Sequence, residues 1–591
     1  MKSRTLILLL VLGLPPLVLQ LAAPVPRLDA DAVEYFAHVR SLYFDHDLDF
    51  ADEFAHFGIL SRGDKVRPTA TGHRRTIFSV GPALVWMPFY AVGDLAARLA
   101  GTVEDGYSPY HIRAVGLASL VYGLAGLFVV FRILDELFGA TVAFWTSVLL
   151  LYATFLFWYV TYEAAVSHAV SFFAAAFALG VWWPARRELR PRRALILGLL
   201  LGVAATVRWQ NGLLLLLPAA SLLMDLRRKP AVTMRTGLLV LVAFFVGALP
   251  QMLAWKAIFG QYLLADPPHG KDFLRLGHPY LLLTFFSSRH GLLYWTPVLW
   301  GGFLGFVPLF RRDRFTTLAL GAPLLVMSYV NVCSGDWWAG GSFSNRRFDS
   351  VLPLLALGLG GSLAWVVDAV RHRPLRVAGA AGLAFVLWNQ LLIVQYRERK
   401  IPPDDTVSFA SVAEYNAKLV GRYVGTPLAW PANWAFAWAQ DLPPARYDLM
   451  AGKYLFYRQN NLGGLVKVGD GRADPALFAG GWSAPAPCGE ATCREVRGRA
   501  RVMAPLDVAE DLDVIVRAWG RGTLSLAVNG TEVASFPLET EPRSLRARVL
   551  RMNWRRELNE VSLSVEVGST AFVERVVFER MPPRPPGGHP S

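Results

Sequence analysis

Charged residues are scarce in this chain of 591 residues, since Asp, Glu, Lys and Arg together make up 18% of it. A soluble protein of this size has about 25%. Hydrophobic residues make up 54%, and they form runs long enough to cross the roughly 30 Å hydrocarbon layer of a bilayer. These runs recur from the N-terminus to about residue 396. The composition therefore excludes an ordinary soluble protein and predicts a membrane domain over residues 1–396.

Cysteine is also scarce, with three in the chain. Cys488 and Cys493 are close enough in sequence either to form a disulfide bond in an oxidising compartment or to remain unpaired. The sequence lacks a Gly-x-x-x-x-Gly-Lys-Ser/Thr loop, a His-Glu-x-x-His motif and a Gly-x-Ser-x-Gly motif. These absences argue against a P-loop nucleotidase, a zinc protease and an α/β-hydrolase. Gly358, Gly360 and Gly361 lie in an apolar run without a preceding strand, so they indicate helix packing.

The net charge of +14 does not indicate nucleic-acid binding, because the surplus Arg and Lys lie in short loops between apolar runs. Four basic loops, at about 186–193, 227–235, 311–314 and 371–376, alternate with less basic ones. The positive-inside rule places these four in the cytoplasm. It predicts about eleven spans, a cytoplasmic N-terminus and an extracytoplasmic tail. The loops alternate correctly between the two sides only if the apolar run at 80–100 lies at the membrane interface and does not cross the bilayer. This run contains Pro82, Pro88 and Gly93, which disfavour a regular helix, and Asp94.

The tail is expected to divide into a connecting region at 397–480, a β-sandwich at 481–581 and a disordered Pro/Gly-rich end at 582–591. Asn529-Gly530 between two alternating segments predicts a hairpin turn. The expected strands are Leu512–Trp519, Leu524–Val528, Glu532–Phe536, Glu560–Val567 and Phe572–Phe578.

The first outside loop, at about 24–111, begins with an acidic segment. Asp31, Glu34, Tyr35 and His38 share one face of a helix that starts near Asp29. A carboxylate at this place, just beyond the first span, can act as a general base on an acceptor hydroxyl beside a lipid headgroup. The competing interpretation is a helix cap with a solvated face.

A second acidic stretch runs from Asp45 to Glu53. A calcium-binding EF-hand needs Gly at position six and Glu at position twelve of its loop. Phe50 and His56 occupy those positions. The stretch is therefore either a solvated acidic loop or a looser site for a divalent ion.

Further polar residues lie at the other predicted outside edges of the membrane. Cations at these edges need an anionic partner, which is either a phospholipid headgroup or a bound lipid phosphate. The residues in question are Glu163 and His168, Arg208, Arg289 and His290, and Arg346 and Arg347.

Several segments resemble the C-type, membrane-embedded glycosyltransferases, specifically bacterial family 39-like members such as the protein O-mannosyltransferases and the lipid A aminoarabinose transferase. As short motifs they cover most of residues 24–350. The segments are Asp31–Tyr35 with Arg40–Leu42 and Asp45–Phe54, Gly81–Tyr90, Glu163–Ala169, and Trp337–Phe343 with Arg346-Arg347.

The resemblance implies a C-type glycosyltransferase fold whose catalytic base is an Asp after the first span. Asp31 matches that position best, and Asp29 competes with it. A second acidic residue is expected in the next outside loop, where this chain has Glu163 although Asp is common in the family. An extracytoplasmic C-terminal domain also fits, although a lectin-like sandwich is not universal there.

We therefore expect a bacterial inner-membrane enzyme that moves a sugar from a polyprenyl-phosphate donor to a lipid, glycan or protein acceptor on the extracytoplasmic side. The sequence requires no cofactor, although Asp29, Asp31 or the acidic stretch is compatible with a divalent metal. The alternatives are a transporter or flippase of lipid-linked sugars and a non-catalytic envelope scaffold. Besides the carboxylates, the expected substrate-binding residues are Glu34, Tyr35, His168, Arg208, Arg289, His290, Arg346 and Arg347.

Overall fold

The structure is a computed structural model with two compact units, residues 1–415 and 416–591. The expected disordered end at 582–591 lies outside the residues that it describes. Those residues are 2–23, 25, 28–60, 68–103, 105–264, 273–369, 374–440, 442–450, 454–456, 464–468, 477, 479–489, 491–566 and 568–581.

The first unit is helical. Short 3-10 helices at Trp183–Ala185, Trp209–Leu215 and Arg346–Val351 extend its longer helices, and a π-helix at Ser41–Asp45 extends α2. The α-helices of the whole chain, numbered α1 to α21 in order, are Lys2–Ala22, Asp31–Arg40, Ala51–His56, Gly81–Leu99, Pro109–Phe138, Ala140–Tyr152, Leu156–Thr161, His168–Trp182, Pro191–Val207, Leu216–Leu226, Pro230–Phe259, Leu281–Phe286, Leu292–Trp295, Leu299–Leu304, Phe306–Arg312, Arg314–Val332, Leu352–Ala369, Pro374–Arg397, Phe409–Val424, Ala432–Gln440 and Ala445–Met450.

The chain is a multi-pass helical membrane protein. Within the described residues, seven helices are long and apolar enough to cross a bilayer, and two shorter apolar helices, Leu10–Ala22 and Ala140–Tyr152, accompany them. The number of about eleven spans stays a prediction. The seven are Pro109–Phe138, His168–Ala185, Trp209–Leu226, Pro230–Phe259, Arg314–Val332, Arg346–Ala369 and Gly379–Arg397.

The apolar run at 291–310 is not the single helix that its composition predicts. It is divided into α13, α14 and α15. Pro297 lies at the first break, where its ring and missing N–H prevent a continuous helix. The second break is at Gly305, and a Cβ built on Gly305 would lie 1.6 Å from the carbonyl oxygen of Gly358 in α17. The glycines near 358 therefore serve close helix packing, as predicted.

Two of the basic loops meet at one end of the helical unit. Arg187, between α8 and α9, makes an ion pair of 2.9 Å with Asp313, between α15 and α16. The Asp313 carboxylate also accepts hydrogen bonds from Thr316 and so caps α16. This contact agrees with the expectation that both loops lie on the same side of the membrane.

The second unit contains a β-sandwich, as expected. One sheet has the order β2-β3-β10-β5-β8, with β1 paired to β10, and the other has the order β4-β9-β6-β7. All of these pairs are antiparallel. The strands β1 to β10 are Leu465–Lys467, Ala486–Cys488, Ala491–Glu495, Arg499–Leu506, Leu512–Arg521, Thr523–Val528, Thr531–Pro537, Arg543–Val549, Glu557–Val565 and Thr570–Arg580.

Local sequence explains two details of the sandwich. Asn529 and Gly530 join β6 to β7, and their φ angles of 50° and 85° are those that a tight hairpin turn needs. This confirms the predicted turn. Cys488 and Cys493 form a disulfide bond across the β2–β3 hairpin, so the bonded alternative is the one present.

Candidate active site

Four segments of the helical unit meet at the end of the helices away from the basic loops. Asp31 begins α2, Glu163 lies between α7 and α8, and Arg208 directly follows α9. Arg346 begins the 3-10 helix that leads into α17. Since α9 has 17 residues and an α-helix rises about 1.5 Å per residue, this end lies ~25 Å from the basic loop that precedes α9.

The centre of the site is a guanidinium group between two carboxylates. Arg346 Nη2 lies 2.7 Å from Asp31 Oδ2, and Arg346 Nη1 lies 3.9 Å from Glu163 Oε1. Its Nε donates to the carbonyl oxygen of Ala339 at 3.0 Å. The Arg346 side chain is 14% exposed, against 28% for Asp31 and 27% for Glu163. One largely buried cation therefore lies against two acids whose carboxylates remain accessible.

The two acids have different surroundings. Glu163 Oε2 accepts a hydrogen bond of 2.8 Å from the indole of Trp158. Burial raises the pKa of Glu163, while the Arg346 guanidinium opposes that rise. Asp31 has the shorter ion pair with Arg346, so its charge is the better compensated one. Asp31 therefore has the closer contact with the cation, whereas the raised pKa of Glu163 lets that side chain hold its proton to higher pH than an exposed glutamate does.

A buried hydrogen-bond network supports the wall behind these acids. The Tyr35 hydroxyl lies 2.8 Å from Ser167 Oγ, and burial raises the pKa of Tyr35 to about 12, so this phenol remains neutral. Arg208 Nη1 lies 3.4 Å from Ser167 Oγ and 3.4 Å from Asp349 Oδ2. Asp349 Oδ2 is also 2.7 Å from His168 Nδ1. Asp349 thus fixes both Arg208 and His168.

The second arginine of the pair at 346–347 points to a different partner. Arg347 donates to the backbone oxygen and the carboxylate of Asp336, both at 2.5 Å. Its guanidinium also lies 5.3 Å from the ring centroid of Phe273. The backbone oxygen of Arg347 accepts from Gln210 and from Asn331. These contacts hold the pair at 346–347 rigidly against two neighbouring helices.

These groups surround a cavity of about 510 Å³ in the helical unit, a size that suits a small-molecule or cofactor site. Asp31, Tyr35 and Glu163 line it together with all three arginines just described. Phe78, Phe273 and Val330 add apolar surface. A cavity with this composition can hold an anionic group together with an apolar substituent.

Asp29 and Glu34 lie outside the lining of this cavity. Asp29 is exposed, and its carboxylate accepts a hydrogen bond of 2.8 Å from the N–H of Ala30. Glu34 is buried and accepts a hydrogen bond of 2.9 Å from the Thr76 hydroxyl. Neither carboxylate is the side-chain cap of α2, whose N-cap is Ala30 without a side-chain hydrogen bond.

Arg289 and His290 do not line the cavity either. The Arg289 guanidinium stacks on the Trp338 ring at 4.0 Å from its centroid. His290 is buried, and its Nδ1 lies 3.3 Å from Ser342 Oγ. Burial and the neighbouring Arg289 lower the pKa of His290 to about 3. These two residues support the loop that leads to Arg346.

The acidic stretch at 45–53 gathers around a cation. The Arg40 guanidinium contacts the Asp45 carboxylate and lies 3.1 Å from Glu53 Oε1. Ser41 Oγ donates to Asp47 Oδ1 at 2.7 Å. Over the described part of the chain, no group of three or more His, Cys, Asp or Glu side chains is arranged to hold a metal ion. The described acids are thus organised by arginine and hydroxyl groups.

Sequence reasoning missed Asp349 and Asp336. Asp349 is 1% exposed and follows Arg346 by one helical turn at the start of an apolar run. A carboxylate in a membrane segment is costly unless it is paired, so its position was a usable signal for a partner. Asp336 lies in the predicted outside loop but had no sequence feature that linked it to Arg347.

No protein-family model matches the chain, and no curated protein matches it. Among solved structures, ArnT from Cupriavidus metallidurans bound to undecaprenyl phosphate has a TM-score of 0.38 at 16% identity, over 70% of this chain and 74% of that one. The archaeal oligosaccharyltransferase AglB from Archaeoglobus fulgidus, in complex with an inhibitory peptide and a dolichol-phosphate, has a TM-score of 0.37 at 13% identity, over 71% of this chain and 54% of that one. The arabinosyltransferase EmbB from Mycobacterium smegmatis has a TM-score of 0.36 at 12% identity, over 96% of this chain and 64% of that one.

These likenesses are distant, and TM-scores below 0.5 settle neither a substrate nor a mechanism. The function must therefore follow from the contacts of the site itself.

Proposed function

We propose that this protein is a membrane glycosyltransferase that moves a sugar from a polyprenyl-phosphate donor to an acceptor hydroxyl on the extracytoplasmic side. The observation that supports this most directly is the contact of Arg346 with both Asp31 and Glu163 at a cavity that also contains Arg208 and Arg347. A general base and a set of phosphate-binding cations are the two elements that such a transfer needs.

The donor phosphate binds among the guanidinium groups of the cavity. Arg suits this role because its planar fork can donate two hydrogen bonds to one phosphate. The apolar surface of Phe273 and Val330 receives the start of the polyprenyl chain. Nucleotide sugars, by contrast, are cytoplasmic, and the sequence has no nucleotide-binding loop.

The reaction is a single displacement with inversion at the anomeric carbon. Asp31 takes the proton from the acceptor hydroxyl, and the hydroxyl oxygen forms a bond to the anomeric carbon. The bond from that carbon to the phosphate oxygen breaks, and its electron pair stays on the phosphate. The acceptor is thereby glycosylated, Asp31 is protonated and polyprenyl phosphate is released.

Charge redistribution explains why the arginines accelerate this step. The donor is a phosphodiester with one negative charge, and the released monoester gains a second. Arg208 and Arg346 therefore bind the transition state more strongly than the ground state. As Arg346 turns to the phosphate, its ion pair with Asp31 weakens, and the Asp31 carboxylate becomes available to the acceptor hydroxyl. Glu163 positions the acceptor hydroxyl through its second carboxylate oxygen.

The direct test uses the purified full-length protein in lipid nanodiscs with radiolabelled polyprenyl-phosphate sugars and a bacterial lipid extract as acceptor. The wild type is expected to transfer label, and Asp31→Asn is expected to reduce the rate by about 10²–10⁴-fold, the usual contribution of a general base. The matched variant Asp29→Asn is expected to lose less than about tenfold, a range well below the general-base contribution, because Asp29 does not line the cavity.

Two results would contradict the proposal. If Asp31→Asn keeps the wild-type rate, Asp31 is not the base. If the wild type consumes none of these donors but moves them across the bilayer of proteoliposomes, the protein is a flippase.

A further inference from the structure

Three tryptophans at four-residue spacing, Trp430, Trp434 and Trp438, lie in α20 and just before it, outside the proposed site. They are 49%, 53% and 92% exposed, and Leu428, which precedes them, is 97% exposed. Four-residue spacing places side chains on the same side of a helix. Residues 426–440 contain no charged side chain. A contiguous exposed apolar surface of this kind marks an interaction site.

The opposite side of α20 packs on the β-sandwich. Phe436 contacts a small cluster that is formed by Leu442 and Met503. Met503 lies in β4, and its neighbours Val502 and Ala504 belong to the core between the two sheets. Since side chains alternate along a strand, Met503 lies on the outer face of its sheet. The sandwich therefore holds α20 by one side and leaves the tryptophan side exposed.

The polar groups of the tryptophan side already have partners. The indole N–H groups of Trp430 and Trp434 both donate to the carbonyl oxygen of Val424 at 3.0 Å. Their rings are inclined by 76° to each other, so they form no flat platform on which a sugar ring could stack. Because these N–H groups are satisfied within the chain, the rings can enter an apolar medium without the cost of an unpaired donor.

This surface follows closely on a membrane span. The span Gly379–Arg397 is the last candidate span among the described residues. The structure describes every residue from 374 to 440, and only α19 and a short 3-10 helix at Pro427–Ala429 lie between Arg397 and α20. Residues 416–440 contain two basic residues, Lys418 and Arg422, and no acidic one. This charge suits the surface of a bilayer that contains anionic lipids.

We infer that α20 inserts its tryptophan side into the surface of the bilayer that α18 leaves, and that it thereby anchors the sandwich to the membrane. Trp is enriched at membrane–water interfaces, and interfacial helices bury Trp and Leu about 5–10 Å into the boundary of headgroups and acyl chains. The partner is a lipid surface and not a sugar or a second copy of the chain. This role is separate from sugar transfer and does not depend on it.

The test places a bimane fluorophore on α20 of the full-length protein through Ala435→Cys, an exposed position. Cys333 is buried and Cys488 and Cys493 are bonded to each other, so the new thiol is the one that reacts. The reference position is Ser544→Cys, which is exposed on β8 of the other sheet. Single molecules are reconstituted in nanodiscs that contain phosphatidylglycerol and a phospholipid with a nitroxide near the headgroup end of its acyl chain.

The nitroxide is expected to quench the fluorophore on α20 at least about twofold more strongly than the one on β8, because an interfacial helix lies at the depth of the nitroxide. Adding Leu428→Glu and Trp438→Glu is expected to lower the quenching on α20 to the level of the reference. Both side chains are almost fully exposed, so the new charges act on the lipid contact and leave the fold intact. The matched control, Met552→Glu, replaces a sandwich side chain that is 84% exposed and is expected to leave the quenching unchanged.

Equal quenching at the two positions overturns the inference. Quenching on α20 that persists with both glutamates overturns the role of the tryptophan side, and an equal loss with Met552→Glu shows a general effect of added charge and overturns it as well. Blue-shifted emission without quenching means that protein covers α20 in place of lipid. A change of emission when soluble oligosaccharides are added, again without quenching, assigns the surface to a sugar.

Discussion

The helical unit and the sandwich bury their residues by different rules. In β6 the buried residues Leu524, Leu526 and Val528 alternate with partly buried ones, as local strand geometry requires. In the helical unit, buried charges meet partners that are distant in sequence, such as His168 with Asp349 and Arg346 with Asp31. The sandwich is therefore organised by its local pattern, whereas the site depends on how helices assemble.

The largest expected effect sharpens this contrast at the centre of the site. Arg346→Gln removes the positive charge between Asp31 and Glu163 and is expected to reduce transfer by about 10²–10³-fold, the range for loss of a group that stabilises transition-state charge. Arg346→Lys keeps the positive charge and is expected to recover part of this loss. The recovery is only partial because an ammonium group cannot contact both acids together. The measurement is kcat/KM for the polyprenyl-phosphate sugar.

The control is Arg289→Gln, because Arg289 stacks on Trp338 and does not line the cavity. It is expected to change kcat/KM by less than about tenfold, well below the range for a group that stabilises transition-state charge. A loss as large as that of Arg346→Gln would place Arg289 among the phosphate-binding cations.

The next effect belongs to the sandwich. Leu526→Ala removes a fully buried side chain from β6 and is expected to cost about 2–5 kcal/mol of that domain's free energy of unfolding. Transfer should be unaffected, because the proposed chemistry uses only residues of the helical unit. Denaturant unfolding followed by the fluorescence of the sandwich, together with the transfer assay, checks both. A parallel loss of transfer would break the contrast between the units.

A smaller effect concerns the carboxylate that supports Arg208. Asp349→Asn leaves a hydrogen-bonding side chain but removes the charge beside Arg208 and His168. It is expected to weaken binding of polyprenyl phosphate and slow transfer by up to about 10²-fold, as small misplacements of a binding group do. The matched variant Ser350→Ala, which removes one hydroxyl donor to Asp349, should lose less. Similar losses in both would point to general packing.

The smallest effect is a pH dependence of stability in the helical unit. Burial raises the pKa of Glu53 from 4.5 to about 7, so the folded protein binds this proton more tightly than the unfolded one. The contribution of this proton to the free energy of unfolding is complete below about pH 4.5 and is lost as the pH rises toward 7. The loss amounts to about 3 kcal/mol at most.

The variant Glu53→Gln should reduce this decline of stability with rising pH, because the glutamine side chain does not titrate. Thermal unfolding of the two proteins between pH 5 and 8 measures it. If both proteins show the same slope, another group dominates the dependence.

Much of the fold could be predicted because it depends on local pattern. Periodicity indicated β5, β6, β7, β9 and β10, and Asn529-Gly530 indicated the hairpin between two of them. Strands β4 and β8 were missed because Pro505 interrupts one and alternating arginines fill the other. The apolar run at 291–310 was predicted as one helix because apolar composition alone does not show how prolines and close glycine contacts divide it.

The sequence allowed the residues of the site to be predicted, but not which of them form ion pairs with one another. Asp31, Glu163 and Arg346 were named from their places at membrane edges, but no sequence rule could assign the salt bridge to Arg346 rather than to Arg289. Both arginines follow the same pattern of a cation at an outside edge. Only packing turned one toward the acids and stacked the other on Trp338.

The sequence by itself determined that this is a helical membrane protein with a β-sandwich, because hydrophobic run length and strand alternation are properties of neighbouring residues. The tertiary structure alone decided that α2, the loop after α7 and the segment that leads into α17 meet at one cavity. Ion pairs between distant segments form only when the helices between them pack, since burial makes a charge depend on its partner. Which acids face the cavity is therefore a property of the assembled fold.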